Sequence, residues 1–254
     1  MTLHLIGLGL GDEHDISLRG LAIVRRADVI FLEHYTSTLG VDTKRLEQLY
    51  GREVKLADRT IIEQRAEQLL EPAKKQDVAL LVVGDPFGAT THTDLVLRAK
   101  DAGVTVNVVH NASIMNAVGV VGLELYKYGR TTSIPYWSKG FEPETPYNAI
   151  KENSERGLHT LCLLDIKMEE KRPRFMTINE ALGILEELER RRGERVVLPE
   201  TLVVGVARLG QERQLIQAGP VSELRERDFG KPLHSLIVPG DLHVVEEEAL
   251  AQWR

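Results

Sequence analysis

Two α/β domains are predicted: residues 1–111 as a mostly parallel sheet with flanking helices, and residues 112–254 as a mixed sheet with helices. Strand-like runs at Leu3–Ile6, Asp28–Leu32, Val78–Val83 and Val104–Val109 alternate with helix-like stretches, and that alternation produces a parallel sheet. The Val78–Val83 run is uninterrupted and apolar, as expected of a strand covered on both faces. Beyond His110-Asn111-Ala112-Ser113-Ile114 the pattern changes. Prolines punctuate the loops there, and two late strands close round Gly210-Gln211 as an antiparallel hairpin. A chain of 254 residues is long enough to bury two modest cores.

The first strand runs into Gly7-Leu8-Gly9-Leu10-Gly11-Asp12. Ser17–Arg26 carries Leu18, Leu21, Ala22 and Ile23 and suits a short helix, followed by the second strand, Asp28–Leu32. Arg45–Tyr50 is expected to be helical and Glu53–Leu56 extended. Thr60-Ile61-Ile62-Glu63 has the form of a capping box, in which Thr60 accepts a backbone N–H and Glu63 reaches back. The helix it opens is expected to run to about Lys75. After Val78–Val83 comes a second loop of glycine and acid, Gly84-Asp85-Pro86-Phe87-Gly88-Ala89-Thr90-Thr91-His92, and then a helix from Thr93 that Gly103 stops. In the second half a short Gly/Ala-rich helix follows Ile114, with a strand over Thr131–Trp137, a helix over Glu144–Arg156 and a buried strand over His159–Ile166. Glu169–Arg174 reads as a solvated charged loop. A second capping box, Thr177-Ile178-Asn179-Glu180, opens a helix ending near Gly193, and strands at Thr201–Arg208, Glu212–Gln217 and Leu233–Val238 complete the chain.

Composition removes several function classes. Charged residues at 28% and apolar residues at 43% suit a soluble globular protein, and no apolar stretch approaches the ~20 residues needed to cross a bilayer. A net charge of −6 argues against a protein that works by wrapping nucleic acid. The single cysteine, Cys162, lies in an apolar run and reads as a buried thiol, so no intramolecular disulfide forms and the reducing cytoplasm is the expected location. The eight histidines show no metal-ligand spacing, and no metal is expected.

Chemistry points to the two glycine loops. Three alternating glycines at a strand end mark a place where backbone comes close to a ligand. A dinucleotide fingerprint would put its third glycine at position 12, where Asp12 stands; a carboxylate repels a pyrophosphate and welcomes a cation. A nucleoside-like cation such as S-adenosylmethionine fits that charge. Glu33 keeps the dinucleotide alternative open, because it lies where a ribose-binding acid would, but it also reads as a strand-end cap. Since ligands of parallel sheets sit at the carboxyl ends of the strands, Asp12 and Asp85 belong to one edge.

With these segments in view, the chain resembles the diphthine synthases, within the tetrapyrrole-methylase-like class of S-adenosylmethionine-dependent methyltransferases. The resemblance rests on the G-x-G-x-G-D loop at Gly7–Asp12, on Gly84-Asp85-Pro86 and on His110-Asn111-Ala112-Ser113-Ile114. It extends to Leu164-Asp165-Ile166-Lys167, Gly205-Val206-Ala207-Arg208 and Pro232-Leu233-His234-Ser235-Leu236-Ile237-Val238-Pro239-Gly240. It implies a cofactor, S-adenosylmethionine, in a cleft between two α/β domains, and a homodimer. The implied reaction is N-methylation, up to trimethylation, of the amino group of 2-(3-amino-3-carboxypropyl)histidine in translation elongation factor 2, with no membrane or nucleic-acid partner. The implied cofactor contacts are Leu10, Asp85, Gly88, Ser113 and Ile114, with Ile166, Leu209 and His234 from the second domain. Phe87-Gly88 stands where such relatives more often carry an aliphatic pair, which bears on side-chain packing rather than on backbone contacts. Competing readings are the same fold acting on a tetrapyrrole precursor or ribosomal RNA, and a cofactor-binding module without catalysis.

Each residue also has a plainer role. Asp85 suits a turn or helix cap, Ser113 an N-cap, Asp165 a strand-end salt bridge, His234 a hydrogen-bonded core histidine, and Arg208 a partner for Asp85 or Asp165. Methyl transfer from a sulfonium is an in-line displacement that alignment and desolvation accelerate, but the accepting amine must first lose a proton. No catalytic base is assignable from sequence; water or a carboxylate would serve.

Overall fold

The computed structural model describes residues 1–254 except 36 and 38. Two compact units form, one from residues 1–117 with 210–212 and one from 118–209 with 213–254. The first contains β1 (Thr2–Gly7), α1 (Leu18–Arg26), β2 (Val29–Glu33), α2 (Thr43–Tyr50), β3 (Lys55–Ala57), α3 (Glu67–Ala73), β4 (Val78–Val82), α4 (His92–Asp101), β5 (Thr105–Val109) and α5 (Ile114–Ala117). The five strands form one sheet in the order β3-β2-β4-β1-β5, all parallel. Every residue of β4 is buried, as its unbroken apolar sequence requires at the centre of a covered sheet. The connection from β1 to β2 and that from β4 to β5 run in opposite directions across the sheet. The loops leaving these two adjacent strands therefore lead to opposite faces of the sheet, which is where open α/β sheets bind ligands.

Local sequence explains how these elements seat. Ser17 caps α1 by accepting from the Gly20 amide at 3.1 Å, and a Cβ at Gly20 would stand 2.9 Å from Ile6 Cγ2, so the glycine lets α1 lie close against β1. The capping box expected at Thr60 does not form. Asp58 takes that role by accepting from the Ile61 amide at 2.8 Å, while Glu63 turns toward Thr91 and Arg59. The result is a wide π turn over Thr60–Gln64, closed by Arg65 N to Thr60 O at 2.9 Å, and the helix resumes only at Glu67.

The second unit contains β6 (Thr132–Ile134), α6 (Thr145–Ser154), β7 (Thr160–Leu164), β8 (Ile166–Lys167), β9 (Arg174–Phe175), α7 (Ile178–Arg192), β10 (Leu202–Ala207), β11 (Leu215–Pro220), α8 (Val221–Leu224), β12 (His234–Val238) and α9 (Val244–Ala251). Its main sheet runs β11-β10-β12-β7-β6, antiparallel except for the β6–β7 pair. Here the second capping box forms as read: Thr177 and Glu180 bond each other's backbone, and Gly193 closes α7 at φ +65°. Leu182 and Leu185 of α7 pack with Cys162, Leu236 and Phe229 in one buried core. Burial alone pushes the Cys162 thiol up to about 12, so it packs as an apolar group. The charged stretch after β8 is a loop clipped at its base by the β8–β9 pairing, a ribbon the sequence did not announce.

A buried polar cluster fixes α9. Glu246, fully buried, accepts from His159 Nε2 at 2.9 Å, from the Glu124 amide at 2.9 Å, from Lys127 Nζ at 2.5 Å and from the His243 amide at 2.8 Å. The Gly240 amide donates to His159 Nδ1 at 3.0 Å, which assigns the proton to Nε2. Burial pushes the Glu246 carboxyl up, but these donors outweigh it and hold it at about 2. A carboxyl lowered on folding contributes stability that is complete above its unfolded value and fades as pH falls toward its folded value. Glu246→Gln is therefore expected to cost about 3 kcal/mol near neutrality. In urea unfolding the gap between wild type and variant should shrink steadily below pH ~4.5; a gap independent of pH would refute the assignment.

Candidate functional site at the carboxyl ends of the parallel strands

The loops leaving β1 and β4 are joined by their backbones. Gly84 N donates to Gly9 O at 2.7 Å and Gly9 N donates to Gly84 O at 3.2 Å, with φ +76° at Gly9 and +80° at Gly84. A Cβ at Gly7 would lie 2.7 Å from Gly84 O and 2.8 Å from Asn111 Cβ, so glycine is needed for the approach itself. Asn111, just past β5, ties the third loop in, donating from Nδ2 to Gly7 O at 3.0 Å and to Asp15 O at 2.9 Å.

The first loop's carboxylates bond the loop's own backbone. Asp12 accepts from the His14 amide at 2.8 Å, a local turn. Asp15 is the residue that organises the glycines, accepting from the Gly11 amide at 2.7 Å and the Leu10 amide at 3.2 Å. Glu33 accepts from the Tyr35 amide at 2.7 Å at the end of β2, in keeping with its role as a cap. Leu10 sits against Gly210, where a Cβ would lie 2.8 Å from Leu10 Cβ.

Asp85, Gly88 and Ser113 come together. A Cβ at Gly88 would stand 2.7 Å from both Cβ and Oγ of Ser113 and 3.4 Å from Asp85 Cβ. Ser113 is buried and precedes Ile114, the first residue of α5; its carbonyl accepts from Ala117 N at 2.9 Å, which opens that helix. Asp85 accepts from the Phe87 amide at 2.9 Å on Oδ1, and from the Asn111 amide at 3.0 Å and His110 Nδ1 at 2.8 Å on Oδ2. Burial pushes its carboxyl up, yet the two amides and the imidazole prevail and hold it below the ordinary range. Three of its roughly four acceptor positions are thus filled and one on Oδ1 is open to a ligand donor. The turn role therefore leaves one acceptor position unused.

In the second unit the strand register brings three more residues to one end of its sheet. His234 opens β12 opposite Ala207 of β10, Leu209 follows two residues beyond Ala207, and Ile166 follows the end of β7. His234 donates from Nε2 to Lys231 O at 3.0 Å, so its buried Nδ1 is an acceptor, and that atom has no partner. Burial lowers the basicity of its ring, which keeps it neutral. Arg208 spends its guanidinium on the carbonyls of Arg213, Phe229 and Lys231, and Asp165 is taken by the Tyr136 amide at 2.9 Å and Lys167 at 3.3 Å. Arg208 is a loop tie and Asp165 a strand-end ion pair. Among the described residues no three His, Cys, Asp or Glu side chains are placed to hold a metal.

A family model for tetrapyrrole (corrin/porphyrin) methylases matches residues 2–225. The chain belongs to that family. It is 49% identical to the diphthine methyl ester synthase of Homo sapiens over 98% of this chain and 94% of the relative. It is 47% identical to the diphthine synthase of Methanocaldococcus jannaschii over 98% and 97%. A crystal structure described as a diphthine synthase from Entamoeba histolytica superposes with a TM-score of 0.94 at 45% identity, covering 99% of this chain and 98% of that one. This tetrapyrrole methylase is accordingly an S-adenosylmethionine-dependent methyltransferase of the diphthine synthase type.

Asp15, His110 and Asn111 are the site residues that sequence reasoning passed over. Asp15 lies outside the glycine motif, and His110 and Asn111 were read only as part of a motif string; their roles depend on β5 lying beside β1. In this methyltransferase Gly88→Ala should press on Ser113 and cost about 1–3 kcal/mol of S-adenosylhomocysteine affinity, read by calorimetry, with a shift of only a few degrees in Tm. Unchanged affinity would remove Gly88 from the site.

Proposed function

We propose that this enzyme transfers methyl groups from S-adenosylmethionine to the amino group of 2-(3-amino-3-carboxypropyl)histidine in translation elongation factor 2, up to the trimethylammonium. The observation that carries the reading is near-half identity, over almost the whole of both chains, to a relative named diphthine synthase. The donor set fits the cofactor. Leu10, Asp85, Gly88, Ser113 and Ile114 in the first unit offer a glycine cradle and one free carboxylate acceptor position for a hydroxyl or ammonium. Ile166, Leu209 and His234 in the second offer apolar surface and the unpartnered Nδ1 acceptor. The bound cofactor supplies an activated methyl carbon; the protein's share is to align the amine, exclude water and let a proton depart.

A further O-methylation of the same side chain's carboxylate is the second reading, favoured by the human relative's name, diphthine methyl ester synthase. We also propose a homodimer working in the cytoplasm; among the described residues no helix is long and apolar enough to cross a membrane.

The test is to incubate the enzyme with isotopically labelled S-adenosylmethionine and elongation factor 2 carrying the unmethylated precursor, and to count methyl groups by mass spectrometry. Three additions that survive mild alkali give the N-trimethyl product. A fourth that alkali removes gives the ester as well. No transfer to the factor, with transfer to a porphyrinogen or to ribosomal RNA, would overturn the proposal.

A further inference from the structure

The structure holds an oriented imidazole at the carboxyl edge of the first sheet. His110 follows β5 directly, and its Nδ1 lies 2.8 Å from Asp85 Oδ2. An ionised carboxylate only accepts, so Nδ1 carries the proton and Nε2 is left as the basic nitrogen. Asp85 is itself locked by the Phe87 and Asn111 amides, and its side chain is 13% exposed against 70% for His110. The ring of Phe87, on the same loop as Asp85, stands 6.3 Å away at 51° and gives the imidazole an apolar neighbour. A partly buried carboxylate that fixes the tautomer and direction of an exposed imidazole is the arrangement by which proteins make a general base.

We propose that His110 is the base that deprotonates the substrate amine, with Asp85 as its positioning residue; this rests on the N-methylation reading given above. In each cycle His110 Nε2 takes one proton from the substrate ammonium. The freed nitrogen lone pair forms the new C–N bond to the methyl carbon as the C–S bond breaks, and that electron pair stays on sulfur, leaving a neutral thioether. The imidazolium then releases its proton to water. Trimethylation repeats this, so the base must reload between transfers, and a side chain so exposed exchanges protons freely with solvent. Methylation of a carboxylate oxygen involves no proton, and His110 should be irrelevant to it.

The titratable group paired with His110 is Asp85. On neighbouring elements, His92 is buried at the start of α4 and bonded through Nδ1 to Pro86 O at 2.9 Å, and Asp15 is occupied by the Leu10 and Gly11 amides. Asp12 is engaged with His14 N.

His110→Asn separates the two roles of the ring, because an amide N–H can still donate to Asp85 while nothing basic remains at the position of Nε2. Wild-type kcat for the first N-transfer should climb from acid pH to a plateau. In His110→Asn it should fall about 100-fold or more at neutral pH and keep rising with pH as the substrate ammonium loses its proton to water, with S-adenosylhomocysteine affinity by calorimetry held within about threefold. Added imidazole should restore part of the rate in His110→Ala. Where an ester is formed on an already trimethylated substrate, its rate should not change. A His110→Asn enzyme within about threefold of the wild-type rate, or one whose loss follows an equal loss of cofactor affinity, overturns the base role. If His110→Ala is slow and unstable while His110→Asn restores both, the ring is only a loop tie. Failure of the wild-type enzyme to methylate the factor at all is a separate result and overturns the acceptor reading along with it.

Discussion

The reciprocal backbone hydrogen bonds between Gly9 and Gly84 are the constraint on which the rest of the first unit's site depends. They form an antiparallel bridge just past the end of the parallel β1–β4 pairing, so that the two loops leave the sheet as a joined pair. Both glycines sit at positive φ, and Gly7 beside them admits no Cβ without striking Gly84 O or Asn111. Everything above this junction is hung from it: Asn111 bonds back to Gly7 O, Asp85 follows Gly84 directly, and Ser113 lies against Gly88. A site built this way is positioned by backbone, which loses little freedom on binding, rather than by long side chains that would have to be ordered.

The carboxylates show how such a junction is held. Asp15 accepts two amides of the glycine loop, and Asp85 gathers the amides of Phe87 and Asn111 with the His110 ring. Each carboxylate satisfies backbone donors that the tight turns leave without strand or helix partners. The negative charge at this edge lies not on Asp12 alone but on Asp12, Asp15 and Asp85, all of which hold the loops. For Asp85 the two duties are compatible because one acceptor position survives after the structural bonds are made.

Much of this was legible in the chain and some was not, for identifiable reasons. Strand identity was readable because runs such as Val78–Val82 are unbroken, and α7 because Thr177, Glu180 and Gly193 carry a complete set of helix-end signals. The box at Thr60 misled because the pattern does not say which nearby acid reaches the helix start, and Asp58 did. The hairpin strand placed at Glu212–Gln217 begins later, at Leu215, since the connection round Gly210 is longer than a tight turn and part of it packs with the first unit. Gly88 and Ser113 were named through resemblance, whereas their contact follows from the loops themselves. His110 and Asp15 were not singled out because their significance is a relation across strands that are far apart in sequence and adjacent in the sheet.

The division of chemistry explains why the acceptor is the least readable part. A sulfonium brings its own activated carbon, so the enzyme needs alignment, a dry path and a way out for one proton, and none of these demands a conspicuous cluster of charged side chains. Glycines and short polar residues are what the two joined loops place at this edge of the sheet, and nothing in their pattern names an acceptor. Near-half identity over the full chain carries that information where the local motifs do not. What the geometry adds is the proton's route. An imidazole fixed at one nitrogen and open at the other distinguishes transfer to an amine, which must shed a proton each time, from transfer to a carboxylate, which has none to shed.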